Sequence, residues 1–259
     1  MGVRPKKFLG QHFLTNKGIA YQIVEALNVS AGSEVLEIGP GTGVLTGFLL
    51  DREISLKVIE IDRDSIAYLN DNFNELRGSI IEGDILKLDF REIYGASHFN
   101  IIGNLPYNIS SQIFFKILEL RENIDQVVCM IQKEVAQRIT EPPGSKTYGI
   151  LSVFLQAFFE MEYLFTVKPG SFNPPPKVDS SVVRMKRNQT SKLDCNEKLF
   201  FQVVKQGFQN RRKTLRNALK PINLPDSLKA DPLLDKRAEV LGVQDYVYLT
   251  NKIEWERNQ

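Results

Sequence analysis

The feature that most constrains this chain is a glycine loop that ends a β-rich run and opens a helix-like segment: Glu37-Ile38-Gly39-Pro40-Gly41-Thr42-Gly43. Glycines at such a junction let the backbone turn tightly and approach a ligand closely. The loop sits at the head of a repeating pattern. Short β-branched runs at 34–38, 56–60, 79–82, 99–102 and 126–131 are each bounded by Gly, Asp or Asn, and helix-like segments fill 44–50 and 63–76. Strands alternating with helices predict an α/β fold, with a parallel sheet covered on both faces. Upstream, 17–27 reads as an amphipathic helix with Thr15 or Asn16 as its N-cap.

The rest of the chain divides by charge. The net charge of +2 averages unlike parts, because residues 1–185 hold 18 Lys and Arg against 22 Asp and Glu, and residues 186–259 hold 15 against 9. The excess is densest within 186–220, with ten basic residues against two acids, and residues 1–17 add four basic residues and no acid. Basic ends around a mildly acidic middle point to a polyanionic partner; a solvated helical face is the bland alternative. The strand pattern ends near Met185 after runs at 163–167 and 181–185 joined by a Pro-rich loop. We therefore expect a domain over 1–188 and a small helical domain over 189–259, with helices at 197–208, 211–219, 236–241 and 244–256. Two cysteines make no disulfide framework and two histidines make no zinc site, so a metal-free chain is expected. No apolar leader opens the sequence, and its longest apolar stretch, 148–159, is too short to span a bilayer; a cytoplasmic protein away from membranes is expected.

The loop spacing is G-x-G-x-G, with Val at position 44 where the G-x-G-x-x-G of dinucleotide sites carries its last glycine, and no Gly-Lys-Ser/Thr follows it. The acidic residue before Gly39 and the missing pyrophosphate cradle favour S-adenosylmethionine over NAD. Gly39 and Gly41 would approach that cofactor. Glu60, at the end of the second strand and 21 residues after Gly39, is placed to accept the ribose hydroxyls. Asp84, ending the third strand, could accept the adenine amino group, with Ile61 or Ile85 against the ring.

The fourth strand runs into Asn104-Leu105-Pro106-Tyr107. These residues suit methylation of an exocyclic amino group, a poor nucleophile whose lone pair is delocalised into its ring. The Asn104 side-chain oxygen and the Leu105 carbonyl could hold both N–H groups and favour a pyramidal nitrogen. Pro106 lacks an N–H and leaves carbonyls of the turn free, and Tyr107 offers an aromatic face. A base in a stacked helix reaches such a pocket only when flipped or single-stranded. Phe172, on the Pro-rich loop, is either a second stacking wall or core beneath the loop.

Taken together, the chain resembles the ribosomal small-subunit adenine dimethyltransferases of the KsgA type. The matching stretches are Phe8-Leu-Gly-Gln-His-Phe-Leu14, the glycine loop, Val58-Ile-Glu-Ile-Asp62, Gly83-Asp84, Gly103-Asn-Leu-Pro-Tyr-Asn-Ile-Ser110, Ser171-Phe-x-Pro-x-Pro-Lys-Val178 and Phe208-x-x-Arg-Arg-Lys-Thr-Leu-Arg-Asn217, in the family's order. The resemblance implies a Rossmann-like S-adenosylmethionine-dependent methyltransferase domain with a small all-helical C-terminal domain. It also implies dimethylation of N6 on two adjacent adenosines in a hairpin near the 3′ end of small-subunit rRNA, within a pre-ribosomal small subunit, by a monomer with a role in subunit biogenesis. Carried over by position, His12, Leu14, Gly39, Glu60, Asp84 and Asn104 would contact the cofactor, Asn104 to Tyr107 would hold the target amine, and Phe172 would stack on the adenine. His12 stands where the family commonly has Asn, which leaves ligand contact, packing and RNA proximity open for it.

Arg211, Arg212, Lys213 and Arg216 lie at helical spacing in the basic segment, with Arg212 and Arg216 sharing a face. They are expected to contact phosphates, as are Lys6 and Lys7 on the N-terminal arm. Two other readings stay open: a large-subunit rRNA adenine methyltransferase of the macrolide-resistance type, and a non-catalytic RNA- or DNA-binding relative acting in assembly or transcription. The Arg-Arg-Lys-Thr-Leu-Arg-Asn stretch weighs against the first and the intact Asn-Leu-Pro-Tyr corner against the second.

Overall fold

The computed structural model describes residues 3–257. β1 (Phe13–Leu14) and α1 (Lys17–Ala26) come first. There follow β2 (Glu34–Ile38), α2 (Val44–Leu50), β3 (Ser55–Glu60), α3 (Arg63–Asn72), β4 (Ile80–Glu82), α4 (Phe90–Tyr94), β5 (Phe99–Asn104), α5 (Ser110–Glu119) and β6 (Ile124–Gln132). Then come α6 (Lys133–Thr140), α7 (Ile150–Gln156), β7 (Phe159–Val167), β8 (Phe172–Asn173) and β9 (Ser180–Arg187), and last α8 (Glu197–Gln209), α9 (Leu215–Ala218) and α10 (Val243–Arg257). Seven strands form one sheet in the order β4-β3-β2-β5-β6-β9-β7. β4 to β6 run parallel, as the βαβ pattern requires. The sheet is mixed rather than all parallel, because β9 lies antiparallel to β6.

This order fixes where a ligand can sit. From β2 the chain winds outward through β3 and β4, then returns to β5 on the other side and winds away through β6. The switch point therefore lies between the carboxyl ends of β2 and β5, where helices leave in opposite directions and a crevice opens. The glycine loop follows β2 and Asn104 ends β5, so both line the same crevice. Gly103 lies opposite Ile38 in the register, and a Cβ there would fall 2.5 Å from the Ile38 carbonyl oxygen. Only glycine lets the two strands meet at that point.

The strands pack on an apolar cluster that includes Ile23, Val35, Leu49, Val58, Ile102 and Val128, with α1 and α2 laid over it. The Asn16 side chain caps α1 by accepting from the Ile19 N–H at 3.1 Å. α5 has no counterpart among the expected helices, although Ile113, Phe114, Ile117 and Leu118 are buried at helical spacing. β1 and β8 are also new. They pair antiparallel, Leu14 opposite Phe172, and tie the start of the chain to the Pro-rich loop.

Two compact units emerge. The first holds the chain up to Ala136 together with Glu160–Arg187, and the second holds Gln137–Phe159 and the chain from Asn188 on. The expected break falls beside Arg187, but 137–159, read above as part of the catalytic body, pack with the second unit. α7 buries five successive residues, Leu151 to Leu155, and its Phe154 rings against Phe200 and Phe201 of α8. The helix expected over 211–219 shortens to α9, because α8 ends at Gln209 and 210–214 form a turn in which Thr214 bridges to Arg237. Arg212 and Arg216 therefore do not share a helical face.

Candidate active site

Residues from the N-terminal arm, the glycine loop, the end of β3, the start of the loop after β4 and the end of β5 enclose one continuous crevice. His12, Gly39, Gly41, Glu60, Ile61, Asp84, Ile85 and Asn104 to Tyr107 all line it. The three loop glycines have φ between 57° and 77°, the left-handed region in which a side chain is strained. A Cβ on Gly39 would meet only the Asn104 carbonyl, at 3.9 Å, whereas one on Gly41 would run into the Phe13 ring at 2.8 Å and one on Gly43 into the Phe73 ring, closer still. Of the three, Gly39 is the one that leaves room on the crevice side.

Glu60 is buried and accepts three backbone N–H groups: Gly41 at 3.1 Å on one oxygen, Ile61 and Asp62 at 2.9 Å on the other. A carboxylate offers about four acceptor sites. The oxygen bound only by Gly41 keeps one free for a hydroxyl, fewer than the pair expected above. Burial raises the Glu60 pKa, and the N–H donors partly offset that rise. Beneath the loop, Glu37 is fully buried and accepts from the Thr46 hydroxyl at 2.6 Å; burial first, and then the nearby Glu60, push its pKa up to about 8. Asp84 turns one oxygen to the Leu86 N–H at 3.0 Å. A free acceptor site on Glu60 for a hydroxyl, the room beside Gly39 and the apolar Ile61 and Ile85 flanking Asp84 fit a nucleoside carrying a short polar tail, and so fit S-adenosylmethionine.

At the other end, Asn104 donates its side-chain amide to the His12 carbonyl at 2.8 Å. Because that carbonyl only accepts, the Asn104 nitrogen is fixed against it and the Asn104 oxygen is left to accept. No donor among the described residues meets the Leu105 carbonyl, while the Leu105 N–H is held by Met130 at 3.0 Å. Tyr107 is half-buried, its hydroxyl hydrogen-bonded to Ser180 and its ring 5.4 Å from that of His12. The His12 ring donates from Nδ1 to the Pro174 carbonyl at 2.8 Å, so His12 joins the arm to the Pro-rich loop.

Five expected residues are placed differently. Leu14 and Phe172 are paired in β1 and β8 and sit in the apolar core. Phe172 is only 4% exposed and presents no face to a base. Lys6 bonds Asp62 at 2.5 Å and Asp64 at 2.8 Å instead of standing free for phosphates. Arg211 donates to the Lys146 carbonyl, and Arg216 donates to Asp235 and the Lys229 carbonyl. Lys7, Arg212 and Lys213 are exposed, without a side-chain partner among the described residues. Gln11 and Phe13 also line the crevice and Asp62 holds the arm, although the motifs that contain them assigned them no role. Their signal was that place inside the motifs, since the contact between Gln11 and Asp62 joins residues 51 apart in sequence.

The family model for "Ribosomal RNA adenine dimethylase" matches residues 2–246. The chain is 54% identical to the ribosomal RNA small subunit methyltransferase A of Flavobacterium johnsoniae over 97% of each chain. It is likewise 54% identical to that of Cytophaga hutchinsonii, over 97% of this chain and 98% of the relative. Among solved structures, a dimethyladenosine transferase from Plasmodium falciparum superposes with a TM-score of 0.79 at 29% identity, covering 95% of this chain and 98% of that one. The 23S rRNA methyltransferase ErmE shares the fold at a TM-score of 0.71 and 23% identity, over 93% of this chain and 99% of its own. With a matched model over nearly its whole length and relatives at this identity, the chain belongs to the ribosomal RNA adenine dimethylase family.

Proposed function

We propose that this protein dimethylates N6 of two adjacent adenosines in the 3′-terminal hairpin of small-subunit rRNA, using S-adenosylmethionine, and that it acts as a monomer on a pre-ribosomal small subunit in the cytoplasm. The observation that carries the reading is the orientation of Asn104. Its amide nitrogen is held by the His12 carbonyl, so its oxygen and the unpaired Leu105 carbonyl form a two-acceptor corner at the switch point of the sheet.

The bound cofactor supplies a methyl group made electrophilic by its sulfonium. The chain supplies position. Gly39 and Gly41 admit the cofactor, Glu60 accepts from its ribose, and Asp84 faces its base. The Asn104 oxygen and the Leu105 carbonyl accept the two N–H groups of the target amine, which localises the nitrogen lone pair and directs it away from both acceptors. Tyr107, tethered through Ser180, offers its ring to the flipped adenine. The methylated nitrogen gives up one proton to solvent, so after the first transfer a single N–H remains, and either acceptor alone can hold it for the second. No general base is needed to strengthen a nucleophile facing so activated a methyl donor.

Lys7, Arg212 and Lys213, being exposed and unpaired, are the side chains best suited to rRNA phosphates. Among the described residues no helix is long and apolar enough to cross a membrane. The test is incubation with small subunits lacking the modification and labelled S-adenosylmethionine, followed by mapping of the methylated bases. Two neighbouring dimethyladenosines in small-subunit rRNA are expected. Label in large-subunit rRNA would favour the macrolide-resistance reading, and tight binding without label the non-catalytic one.

A further inference from the structure

Asp62 does not line the crevice itself, yet it holds two residues that do, Gln11 and Glu60. Its side chain is wholly buried. It accepts from Lys6 Nζ at 2.5 Å, from Gln11 Nε2 at 3.0 Å and from the Asp64 N–H at 3.1 Å, the last as the N-cap of α3. Asp64 adds a second carboxylate to Lys6 at 2.8 Å. The Lys6 N–H donates to Gln11 Oε1 at 2.8 Å and closes the arm into a loop. On the other side, the Asp62 N–H donates to Glu60 Oε1 at 2.9 Å. One residue thus joins the carboxylate placed for the ribose to the arm that covers it.

Apolar packing does not hold this arm. The short 3₁₀ turn Lys7–Leu9 has no buried residue, and Phe8 is 78% exposed at the lip of the crevice. Beyond it, the chain is fixed at Phe13 and Leu14 by pairing with β8. Leu9 to His12, between these anchors, line the crevice directly. With little surface buried, polar links hold the wall: His12 is tied to Asn104 and Pro174 at its far end, and Lys6 and Gln11 are tied to Asp62 at its near end. Burial alone would raise the Asp62 pKa; hydrogen bonds from Lys6, Gln11 and the Asp64 N–H outweigh it and hold the carboxyl below its usual range.

We propose that Asp62 is a positioning residue for the cofactor site: through Lys6 and Gln11 it latches residues 6–12 across the crevice, and the latch sets how long S-adenosylmethionine stays bound. The proposal rests on the crevice being the cofactor site. A plain helix cap would explain the Asp64 contact but not those from the arm, and variants separate the two. Lys6→Ala leaves the α3 cap untouched, and Asp62→Asn keeps a capping side chain while removing the charge.

The test measures cofactor dissociation by stopped flow, KM for S-adenosylmethionine against kcat, and tryptic cleavage after Lys7. The latch predicts that Lys6→Ala speeds dissociation about tenfold, raises KM to match and leaves kcat at saturating cofactor within about twofold. Cleavage after Lys7 should be faster in both variants, and in the parent protein S-adenosylhomocysteine should slow it. The latch is overturned if Lys6→Ala changes neither dissociation nor cleavage while Glu60→Gln still weakens cofactor binding. If Glu60→Gln is also without effect, the assignment of the crevice fails and the latch falls with it.

Discussion

The cofactor crevice and the basic segment around 211–216 treat charge in opposite ways. Around the crevice, Glu60 in its wall, Glu37 beneath the glycine loop and Asp62 behind the arm are buried, each held by named donors, with the first two pushed toward the neutral form by burial. The basic segment leaves Arg212 and Lys213 in water but turns Arg211 and Arg216 onto neighbouring carbonyls and Asp235. The crevice residues stand at strand ends, so topology delivers them together. Arg211, Arg212 and Lys213 stand on the turn between α8 and α9 and Arg216 in α9 itself, where a side chain turns to an acceptor only if one lies in reach. A row of cations in a sequence is therefore a weaker guide to a binding surface than a row of motifs on successive strands.

The sharpest way to break this contrast is Asn104→Ala. Removing one of two preorganised acceptors should lower single-turnover methyl transfer by about 10²–10³-fold, with cofactor affinity, measured by calorimetry, changed much less. Near-normal turnover would remove Asn104 from the corner.

Next in size is the pH response of the buried acids. Glu37 has its folded-state pKa raised from 4.5 to about 8. The fold then binds a proton that the unfolded chain has released, so the Glu37 contribution to stability is greatest at acid pH and is lost as pH rises from 4.5 toward 8, at up to about 1.4 kcal/mol per pH unit. Glu37→Gln removes this titration. Thermal unfolding from pH 5 to 8 should show a flatter profile for the variant than for the parent, and parallel profiles would place Glu37 in an ordinary ionised state.

The smallest effects separate the cations. Arg212→Glu with Lys213→Glu should weaken rRNA binding and reduce the salt slope by about two, while leaving the melting temperature in place. Arg216→Ala should do the reverse, with a stability loss of about 0.5–1 kcal/mol, discounted for its exposure, and little change in slope. Equal salt responses would erase the distinction drawn here.

The sequence alone carried much of this. β2 and α2 fall where the β-branched run and the apolar helix pattern place them, and Gly39, Glu60, Asp84 and Asn104 meet because a parallel sheet brings strand ends to one edge. What it did not carry depends on contacts between distant residues. Nothing near Lys6 announces Asp62, nothing near Arg211 announces the Lys146 carbonyl, and nothing near Phe172 announces Leu14. β1 and β8 are two residues each, too short for any periodicity. The fate of 137–159 likewise depends on helices that follow Asn188.

The pairing of Leu14 with Phe172 also has a consequence for synthesis. The strand that anchors the arm is made long before β8, and finds its partner only once β8 has followed it. Until then the glycine loop, Glu60 and Asn104 can be in place with the crevice open on one side. A contact so remote in sequence forms late. The wall of the crevice is therefore expected to close in one late step, once β8 has been made, rather than to build up with the chain.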